Sequence, residues 1–265
     1  MKIFDCLIFY DENFLVNARI NILYDVVDYF VICESRFDLS GNKKKLNFKL
    51  LNKKFKKKIR YLKLSSLPIN NNDPWKLEAL QREKLFDGIY DSVPEDIIMY
   101  SDSDEIPSPN ILQNIKLRKK YAILLMKMYS YKLNIYNPHE TPWEGTRVCK
   151  RKDLKSFSYL RKNILVKNLR KKWRLNIEKN IQIINNGGWH FNNLYSPKVI
   201  SKKLKVFPHK EFSLEKYSDI EIIKKKIFLL QDLFGRGNNY KKVKIDKNYP
   251  KYIFKNKTKL KKYIL

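Results

Sequence analysis

Cysteine and long hydrophobic runs are both scarce in this chain. Its 265 residues include three cysteines, Cys6, Cys33 and Cys149, which are widely separated and form no C-x-x-C pair. The sequence therefore indicates neither a disulfide framework nor a zinc site built from cysteines. No stretch approaches the roughly 18 consecutive apolar residues that a membrane-spanning helix needs, and the apolar run at residues 3–9 is too short and too interrupted for a signal peptide. We therefore expect a cytoplasmic protein with reduced thiols.

Acidic residues are scarce in only one part of the chain. Residues 1–110 carry 17 Lys+Arg and 17 Asp+Glu, whereas residues 111–265 carry 39 and 10, so the second part holds the whole net charge of +29. Such an excess suits a polyanion, a nucleotide diphosphate or an anionic membrane surface. It also suits the codon bias of an AT-rich genome, because the chain has 45 Lys, 11 Arg and 25 Asn. The low arginine content and the absence of a helix-turn-helix, zinc-finger or RNP pattern disfavour a nucleic-acid-binding protein.

The apolar pattern predicts the fold class. With 43% hydrophobic and 14% aromatic residues, the chain has enough apolar side chains for a large core. Apolar strands alternate with helical patterns, which predicts an α/β fold with a mainly parallel sheet flanked by helices. The predicted strands lie at 3–9, 28–33, 59–64, 96–100, 121–131 and 181–184, and the predicted helices at 12–27, 73–91 and 219–234. A Lys-rich tail at 241–265 follows.

One predicted helix carries a charged residue on its apolar side. Asp73 is a suitable N-cap and Pro74 a suitable first residue for a helix over 73–91. Arg82 falls among Trp75, Phe86 and their apolar neighbours, so its guanidinium needs a partner. An ion pair with Glu78, one turn earlier, is one possibility. Contact with a phosphate group at the edge of a cleft is the other.

The segment at residues 101–107, Ser-Asp-Ser-Asp-Glu-Ile-Pro, follows a buried strand. Extended geometry places Asp102 and Asp104 on the same side, at the sheet edge where open α/β sheets bind ligands. Carboxylate oxygens at that spacing suit Mg²⁺ or Mn²⁺. The alternative is an acidic turn that leads into the next helix.

A second segment, Asn-Gly-Gly-Trp-His-Phe at residues 186–191, joins a predicted strand to a loop. Paired glycines permit a close approach of other atoms. The face of Trp189 suits a sugar ring, and His190 suits a metal or a phosphate. In the alternative interpretation the glycines form a turn and both side chains pack in the core. Downstream, His209 and Glu211 form another polar pair or simply precede a helix.

Several blocks of the sequence resemble glycosyltransferase family 17, in that family's order and spacing. The match runs from about residue 2 to about residue 235. It rests on residues 4–12, 23–35, 75–82, 102–107 and 188–190, with Phe37, Ser40 and Gly41. The resemblance implies a GT-A fold, a metal-dependent inverting transfer from UDP-GlcNAc, and a glycan acceptor.

The same resemblance implies the domain organisation. A single domain would span 1–240, with a nucleotide-binding half at 1–110 and an acceptor half at 111–240, followed by the basic tail. We expect no nucleic-acid partner, and we allow for peripheral contact between the tail and an anionic membrane. The alternatives are an inactive scaffold of this family, which the intact acidic segment disfavours, and a basic nucleic-acid-binding or membrane-binding protein.

The resemblance also implies roles for individual residues. Asp104 would bind Mn²⁺ or Mg²⁺, and His190 would bind the metal or the diphosphate. For the general base we choose Glu211 over Glu144, because the family places an acidic residue before a phenylalanine there. The candidates for donor binding are Tyr10, Glu12, Glu34, Arg82, Asp102 and Trp189, and Asp102 is also a candidate metal ligand.

Overall fold

The computed structural model describes residues 1–67, 73–171, 173–206 and 214–265. The strands are β1 (Ile3–Phe9), β2 (Tyr29–Ser35), β3 (Ile59–Leu64), β4 (Ile97–Ser101), β5 (Glu105–Pro107), β6 (Tyr121–Ser130), β7 (Ile135–Tyr136), β8 (Trp143–Lys150), β9 (Ile181–Asn192) and β10 (Lys241–Lys242). The helices are α1 (Asn13–Leu23), α2 (Pro74–Glu83), α3 (Pro109–Gln113), α4 (Phe157–Asn163), α5 (Pro197–Val206), α6 (Glu215–Ser218), α7 (Ile220–Phe228) and α8 (Lys251–Lys255). Short 3-10 helices include Lys53–Lys58, Lys84–Gly88 and Val166–Arg170.

The strands form one sheet in the order β10-β7-β6-β8-β4-β1-β2-β3, and β9 pairs with both β6 and β5. The four strands β3, β2, β1 and β4 are all parallel. Beyond β4 the sheet is mixed, because β8 is antiparallel to both β4 and β6 whereas β9 is parallel to β6. The predicted α/β class with flanking helices is confirmed. The prediction of parallel strands is correct for β1 to β4. The rest of the sheet is mixed, because the short connection from β6 to β8 makes these two strands antiparallel.

Helices cover both faces of the sheet. On one face α1 and α3 contribute Val16, Ile20 and Leu112 to a buried cluster. On the other face the 3-10 helix at Lys84–Gly88 and α4 contribute Leu85 and Phe157. Because helices cover both faces of the sheet, polar side chains can cluster at the ends of the strands.

The helix predicted at 73–91 is shorter than the apolar pattern suggested, and it buries a different side. The carboxylate of Asp73 accepts a hydrogen bond from the backbone N–H of Trp75, which confirms the cap. The α-helix ends at Glu83 and continues as the 3-10 helix to Gly88. A Cβ at Gly88 would lie 2.2 Å from Val31 Cγ1, so the chain passes very close to β2 at this point. Trp75, expected on the apolar side of the helix, is exposed, and so is Tyr90 near its predicted end.

The C-terminal segment, residues 241–265, packs against the rest of the chain. Ile245, Tyr249, Ile253 and Leu260 are buried in a cluster that also contains Ile106 of β5. The ring of Tyr263 stacks on Phe14 of α1 at a centroid distance of 3.7 Å. The segment predicted as a tail therefore contributes to the hydrophobic core. No helix among the described ranges is long and apolar enough to cross a bilayer.

Candidate active site

A buried ion pair underlies the acidic segment after β4. Arg19 of α1 and Asp5 of β1 are fully buried, and two guanidinium nitrogens of Arg19 each lie 2.6 Å from a carboxylate oxygen of Asp5. The same guanidinium donates to Ser101 Oγ at 2.8 Å and to the carbonyl oxygen of Glu105. A buried charge pair is retained only where its remaining polar atoms are satisfied, as they are here. Arg19 thereby fixes the backbone on both sides of Asp102 and Asp104.

Glu105 is 0% exposed and accepts three hydrogen bonds. Its donors are the indole N–H of Trp143 at 2.8 Å, Arg161 Nη1 at 3.1 Å and the backbone N–H of Asp102 at 3.2 Å. The other terminal nitrogen of Arg161 pairs with the carboxylate of Asp102. Burial lowers the pKa of Arg161, but the carboxylates of Asp102 and Glu105 outweigh it and hold that pKa above its ordinary value. Arg161 therefore stays charged and bridges the two carboxylates.

Asp104 faces His190, which β9 brings opposite Glu105. The Asp104 Oδ1 and His190 Nε2 atoms are 3.4 Å apart. Burial favours the neutral form of both groups, yet the charge of His190 lowers the pKa of Asp104 to about 2, and Asp104 raises the pKa of His190. His190 Nδ1 is buried and has no hydrogen-bond partner among the described residues. The ring of Trp143 lies 4.8 Å from the imidazole, between ring centroids.

The Asp104–His190 pair fits a divalent ion that shares its coordination with a ligand. Neighbouring ligands of an octahedral ion with bonds of about 2.1 Å are roughly 3.0 Å apart, which is close to the 3.4 Å observed between Oδ1 and Nε2. The described part of the chain contains no group of three or more His, Cys, Asp or Glu side chains placed to hold a metal. Mg²⁺ and related ions commonly use one or two protein ligands and complete their shell with phosphates and water. The residues therefore fit an open site and not a closed protein cage.

Glu12 and Tyr195 border a cavity of about 310 Å³ beside this pair. The Glu12 carboxylate accepts hydrogen bonds from the backbone N–H groups of Tyr10 and Asp11, both at 3.0 Å. Burial, Glu12 and Asp104 all raise the pKa of Tyr195, which keeps its hydroxyl protonated. Asp11, Ser196 and Tyr263 line the same space. Tyr10 and Glu12, both predicted for nucleotide binding, thus lie in the loop after β1, and Glu12 faces the cavity.

The Glu34 carboxylate at the end of β2 is fully buried and holds a loop in place. It accepts from Lys44 Nζ at 2.8 Å, from the Tyr61 hydroxyl at 2.6 Å, and from the backbone N–H groups of Asn47 and Phe48. These donors outweigh the effect of burial and lower the pKa of Glu34. All four partners belong to the chain itself, and its predicted role in nucleotide binding stays a prediction.

Arg82 forms the ion pair with Glu78, which was one of the two contacts predicted for it. Its Nη2 lies 2.8 Å from Glu78 Oε2, and its Nε donates to the Tyr100 hydroxyl at 3.0 Å. That hydroxyl in turn lies 3.5 Å from Asp102 Oδ1, so Arg82 is linked to the acidic segment through Tyr100. Arg82 Nη1 is buried without a hydrogen-bond partner in the described ranges. Contact with a donor phosphate stays a prediction.

The two glycines of the second segment accommodate neighbouring strands, Gly187 beside Leu124 of β6 and Gly188 beside β5. Gly188 has φ +149°, and a Cβ there would lie 2.1 Å from the carbonyl oxygen of Ile106. What comes close is therefore the chain itself, and the segment lies inside β9 and not at a strand-loop junction. Trp189 points away from His190, and its indole N–H donates to the carbonyl oxygen of Asn248 at 3.2 Å. The aromatic ring next to His190 is instead Trp143.

The two predicted general bases are placed differently. Glu144 lies on β8, where its carboxylate accepts from the backbone N–H of Val166 at 3.1 Å and pairs with Arg147 at 3.3 Å. Glu211 and His209 lie outside the described residues. The role of each glutamate as a base stays a prediction.

Sequence reasoning missed four side chains that build this region. They are Trp143 and three arginines, Arg19, Arg147 and Arg161, whose side chains are 0%, 3% and 16% exposed. A chain with 45 Lys and 11 Arg uses arginine sparingly. Arginine has a planar, always charged fork that pairs well with buried carboxylates, as Arg19 does with Asp5 and Arg161 does with Glu105.

Comparisons with known proteins identify the family of this chain. The family model for glycosyltransferase family 17 matches residues 1–238. The human beta-1,4-mannosyl-glycoprotein 4-beta-N-acetylglucosaminyltransferase is 34% identical over 113 residues, which cover 39% of this chain and 21% of the human protein. The Rattus norvegicus protein of the same name matches equally, so the match spans about a fifth of the length of these relatives.

Among solved structures, glucosyl-3-phosphoglycerate synthase from Mycobacterium tuberculosis, in complex with Mn²⁺ and UDP-glucose, superposes with a TM-score of 0.37. It is 14% identical in sequence, over 69% of each chain. The family model, in contrast, spans almost the whole chain and includes the acidic segment, β9 and His190. This chain is a member of glycosyltransferase family 17.

Proposed function

We propose that this chain transfers N-acetylglucosamine from UDP-GlcNAc to a hydroxyl of a glycan, with inversion at the anomeric carbon and with Mn²⁺ or Mg²⁺ as cofactor. The observation that carries the proposal is the Asp104–His190 pair at 3.4 Å, at the end of the sheet where β1 and β4 also end. Family membership supports sugar transfer, and the name of the human relative supports the donor and the β-linkage. The imidazole in the donor set favours Mn²⁺ over Mg²⁺.

Asp104 and His190 are the residues that would hold the ion. When bound there, a divalent ion neutralises the charge that develops on the departing diphosphate. Asp102 would accept a hydrogen bond from the ribose, and its contacts with Arg161 on one carboxylate oxygen and with the Tyr100 hydroxyl, 3.5 Å from the other, support that role. Glu105 keeps both Arg161 and Trp143 in place and is a positioning residue.

The sugar and the acceptor meet beside these groups. Trp143 offers an indole ring next to His190, and the 310 Å³ cavity with Asp11, Glu12 and Tyr195 offers polar groups nearby. In the transfer the acceptor oxygen forms a bond to the anomeric carbon while the bond to the diphosphate breaks, through an oxocarbenium-like state. The hydroxyl proton passes to a carboxylate, for which Glu211 and Glu144 are the candidates.

Thermal denaturation with UDP-GlcNAc, with and without Mn²⁺, tests the proposal. A donor at about 100 times its Kd raises the stability by about 2.7 kcal/mol. We expect most of this stabilisation to require Mn²⁺, and Asp104→Asn to abolish the Mn²⁺-dependent part together with turnover. Asp87→Asn serves as the matched control, because that carboxylate is exposed and, within the described ranges, pairs with Lys84 in the same 3-10 helix.

Two results would contradict the proposal. If Asp104→Asn and the parent protein gained the same stability from UDP-GlcNAc and Mn²⁺, Asp104 would not hold the ion. If no UDP-sugar stabilised the protein under any metal condition, the donor class would be wrong. The anomeric configuration of the product, read from its proton NMR coupling, decides between inversion and retention.

A further inference from the structure

The C-terminal segment borders a groove that lies outside the candidate active site. The groove has a volume of about 750 Å³. Four lysines surround it, Lys242, Lys244, Lys257 and Lys261, and its apolar lining includes Ile245 and Ile264. It lies at the β10 end of the strand order, and Tyr263, the neighbour of its lining residue Ile264, lines the cavity that contains Glu12. The groove therefore adjoins the active-site region without sharing its charged residues.

The lysines of this segment have no acidic partners among the residues that the structure describes. Residues 241–265 contain ten lysines and one acidic residue, Asp246. Within the described ranges none of these ten lysines forms an ion pair, whereas Lys44 pairs with Glu34 and Lys84 pairs with Asp87. Asp246 is occupied by hydrogen bonds from Asn248. The folded segment thus presents an uncompensated positive charge around an apolar groove.

We propose that this groove docks the protein on an anionic lipid bilayer, with the lysine ammonium groups on the lipid phosphates and the apolar lining against the glycerol and upper acyl region. Lysine suits this arrangement, because its apolar stem packs along a nonpolar surface while the ammonium reaches the headgroups. Phe254 and Leu265 of the same segment are exposed large apolar side chains, as a surface that enters the interface requires.

The chemistry of the groove favours lipid over nucleic acid. Residues 241–265 contain no arginine, the residue that recognises phosphates and bases through a planar fork. The ring of Tyr263 is already stacked on Phe14 and is not free to stack on a base. Polybasic segments of lysine, in contrast, bind anionic bilayers through charge alone.

Co-sedimentation with phosphatidylcholine vesicles, with and without phosphatidylserine, tests the docking. The variant Lys242→Gln, Lys244→Gln, Lys257→Gln, Lys261→Gln removes the four groove lysines. We expect it to partition onto the phosphatidylserine vesicles about 100-fold or more weakly than the parent protein, because each lysine near an anionic surface contributes about a fivefold factor.

The matched control removes the same charge at the other end of the sheet. Lys53, Lys54, Lys56 and Lys57 are exposed lysines of the 3-10 helix before β3, and their replacement by Gln is expected to change binding by less than about threefold. Equal losses in both variants would show an effect of net charge alone and would overturn the assignment to the groove. Failure of the parent protein to bind phosphatidylserine vesicles, or stronger binding to single-stranded DNA than to vesicles, would overturn it as well. UDP-GlcNAc stabilisation of the groove variant, unchanged from the parent protein, shows that it is folded.

Discussion

Replacement of Arg161 by alanine tests how the acidic segment is held. The change removes the cation that joins Asp102 to Glu105, whose side chains are 36% and 0% exposed respectively. Water can reach Asp102, so the main cost falls on Glu105. Loss of one partner of a buried pair costs about 3–5 kcal/mol. Glu105 keeps two donors, Trp143 and the Asp102 N–H, so we expect a loss near the lower end, about 3 kcal/mol.

Equilibrium urea unfolding at neutral pH measures this loss, and an unchanged m-value shows that the unfolding transition itself is the same. In a thermal melt the same change corresponds to a decrease in Tm of roughly 6–12 °C. Arg161→Lys is expected to retain part of the stability, because an ammonium group can contact one of the two carboxylates but cannot bridge them with a fork.

Lys152 provides the control. Its ammonium group pairs with Glu95, and both side chains are about half exposed, at 50% and 55%, compared with 16% and 0% for Arg161 and Glu105. Exposed ion pairs contribute little, so Lys152→Ala is expected to cost less than half as much as Arg161→Ala. A loss below about 1 kcal/mol for Arg161→Ala, or an equal loss for both variants, would refute the view that Glu105 depends on a buried cation.

Two further predictions concern the strand pairing and the loop after β2. Gly188→Ala is expected to destabilise the protein by at least about 2 kcal/mol and to weaken Mn²⁺-dependent donor binding, because the new Cβ would meet the carbonyl oxygen of Ile106. Gly235→Ala is the control: Gly235 also has a positive φ, but a Cβ there would have no atom within 4 Å, so donor binding should persist. Thermal melts of both variants, with and without UDP-GlcNAc and Mn²⁺, make the comparison, and equal effects would contradict the packing argument. Glu34→Gln is expected to destabilise the protein most at neutral pH, because the pKa of Glu34 is lower in the folded state than in the unfolded state. The ionised carboxylate therefore stabilises the fold at pH values above the unfolded-state pKa of about 4.3, and this contribution is lost as the pH falls through the folded-state pKa. Urea unfolding from pH 7 to pH 3 measures it, and a stability difference that did not shrink in acid would count against the four-donor arrangement.

Strands bounded by clear changes of composition were predictable from the sequence. The apolar run at 3–9 and the alternating pattern at 59–64 coincide with β1 and β3, and the abrupt change to acidic residues after residue 100 marks the end of β4. The same local signal placed Asp102 and Asp104 at a sheet edge. Local composition could not show that Arg161, from a helix much later in the chain, would neutralise Asp102.

Other parts of the site depend on tertiary pairing. The register of β5 with β9 sets His190 opposite Glu105 and next to Asp104, and no local pattern encodes that register. The C-terminal segment was predicted to be a tail because of its many lysines. Its apolar residues Ile245, Tyr249 and Ile253 nevertheless recur at intervals of four, and all three are buried. Asp5 inside an apolar strand was a visible anomaly, since a carboxylate there requires a buried cation, which proved to be Arg19.

The dependence of β5 on β9 also has a consequence for synthesis. The main-chain hydrogen bonds of β5 to another strand are made with β9, which leaves the ribosome long after the parallel strands β1 to β4. At translation speeds of about 5–20 residues per second, the nascent N-terminal sheet would exist for seconds with its acidic segment not yet paired. During that interval Asp104 lacks His190 and Glu105 lacks Arg161, so the emerging chain carries a cluster of hydrated carboxylates. The end of the sheet that carries the candidate site thus forms only after β9 is made, and a chain that stopped before β9 would retain β1 to β4 without the Asp104–His190 pair.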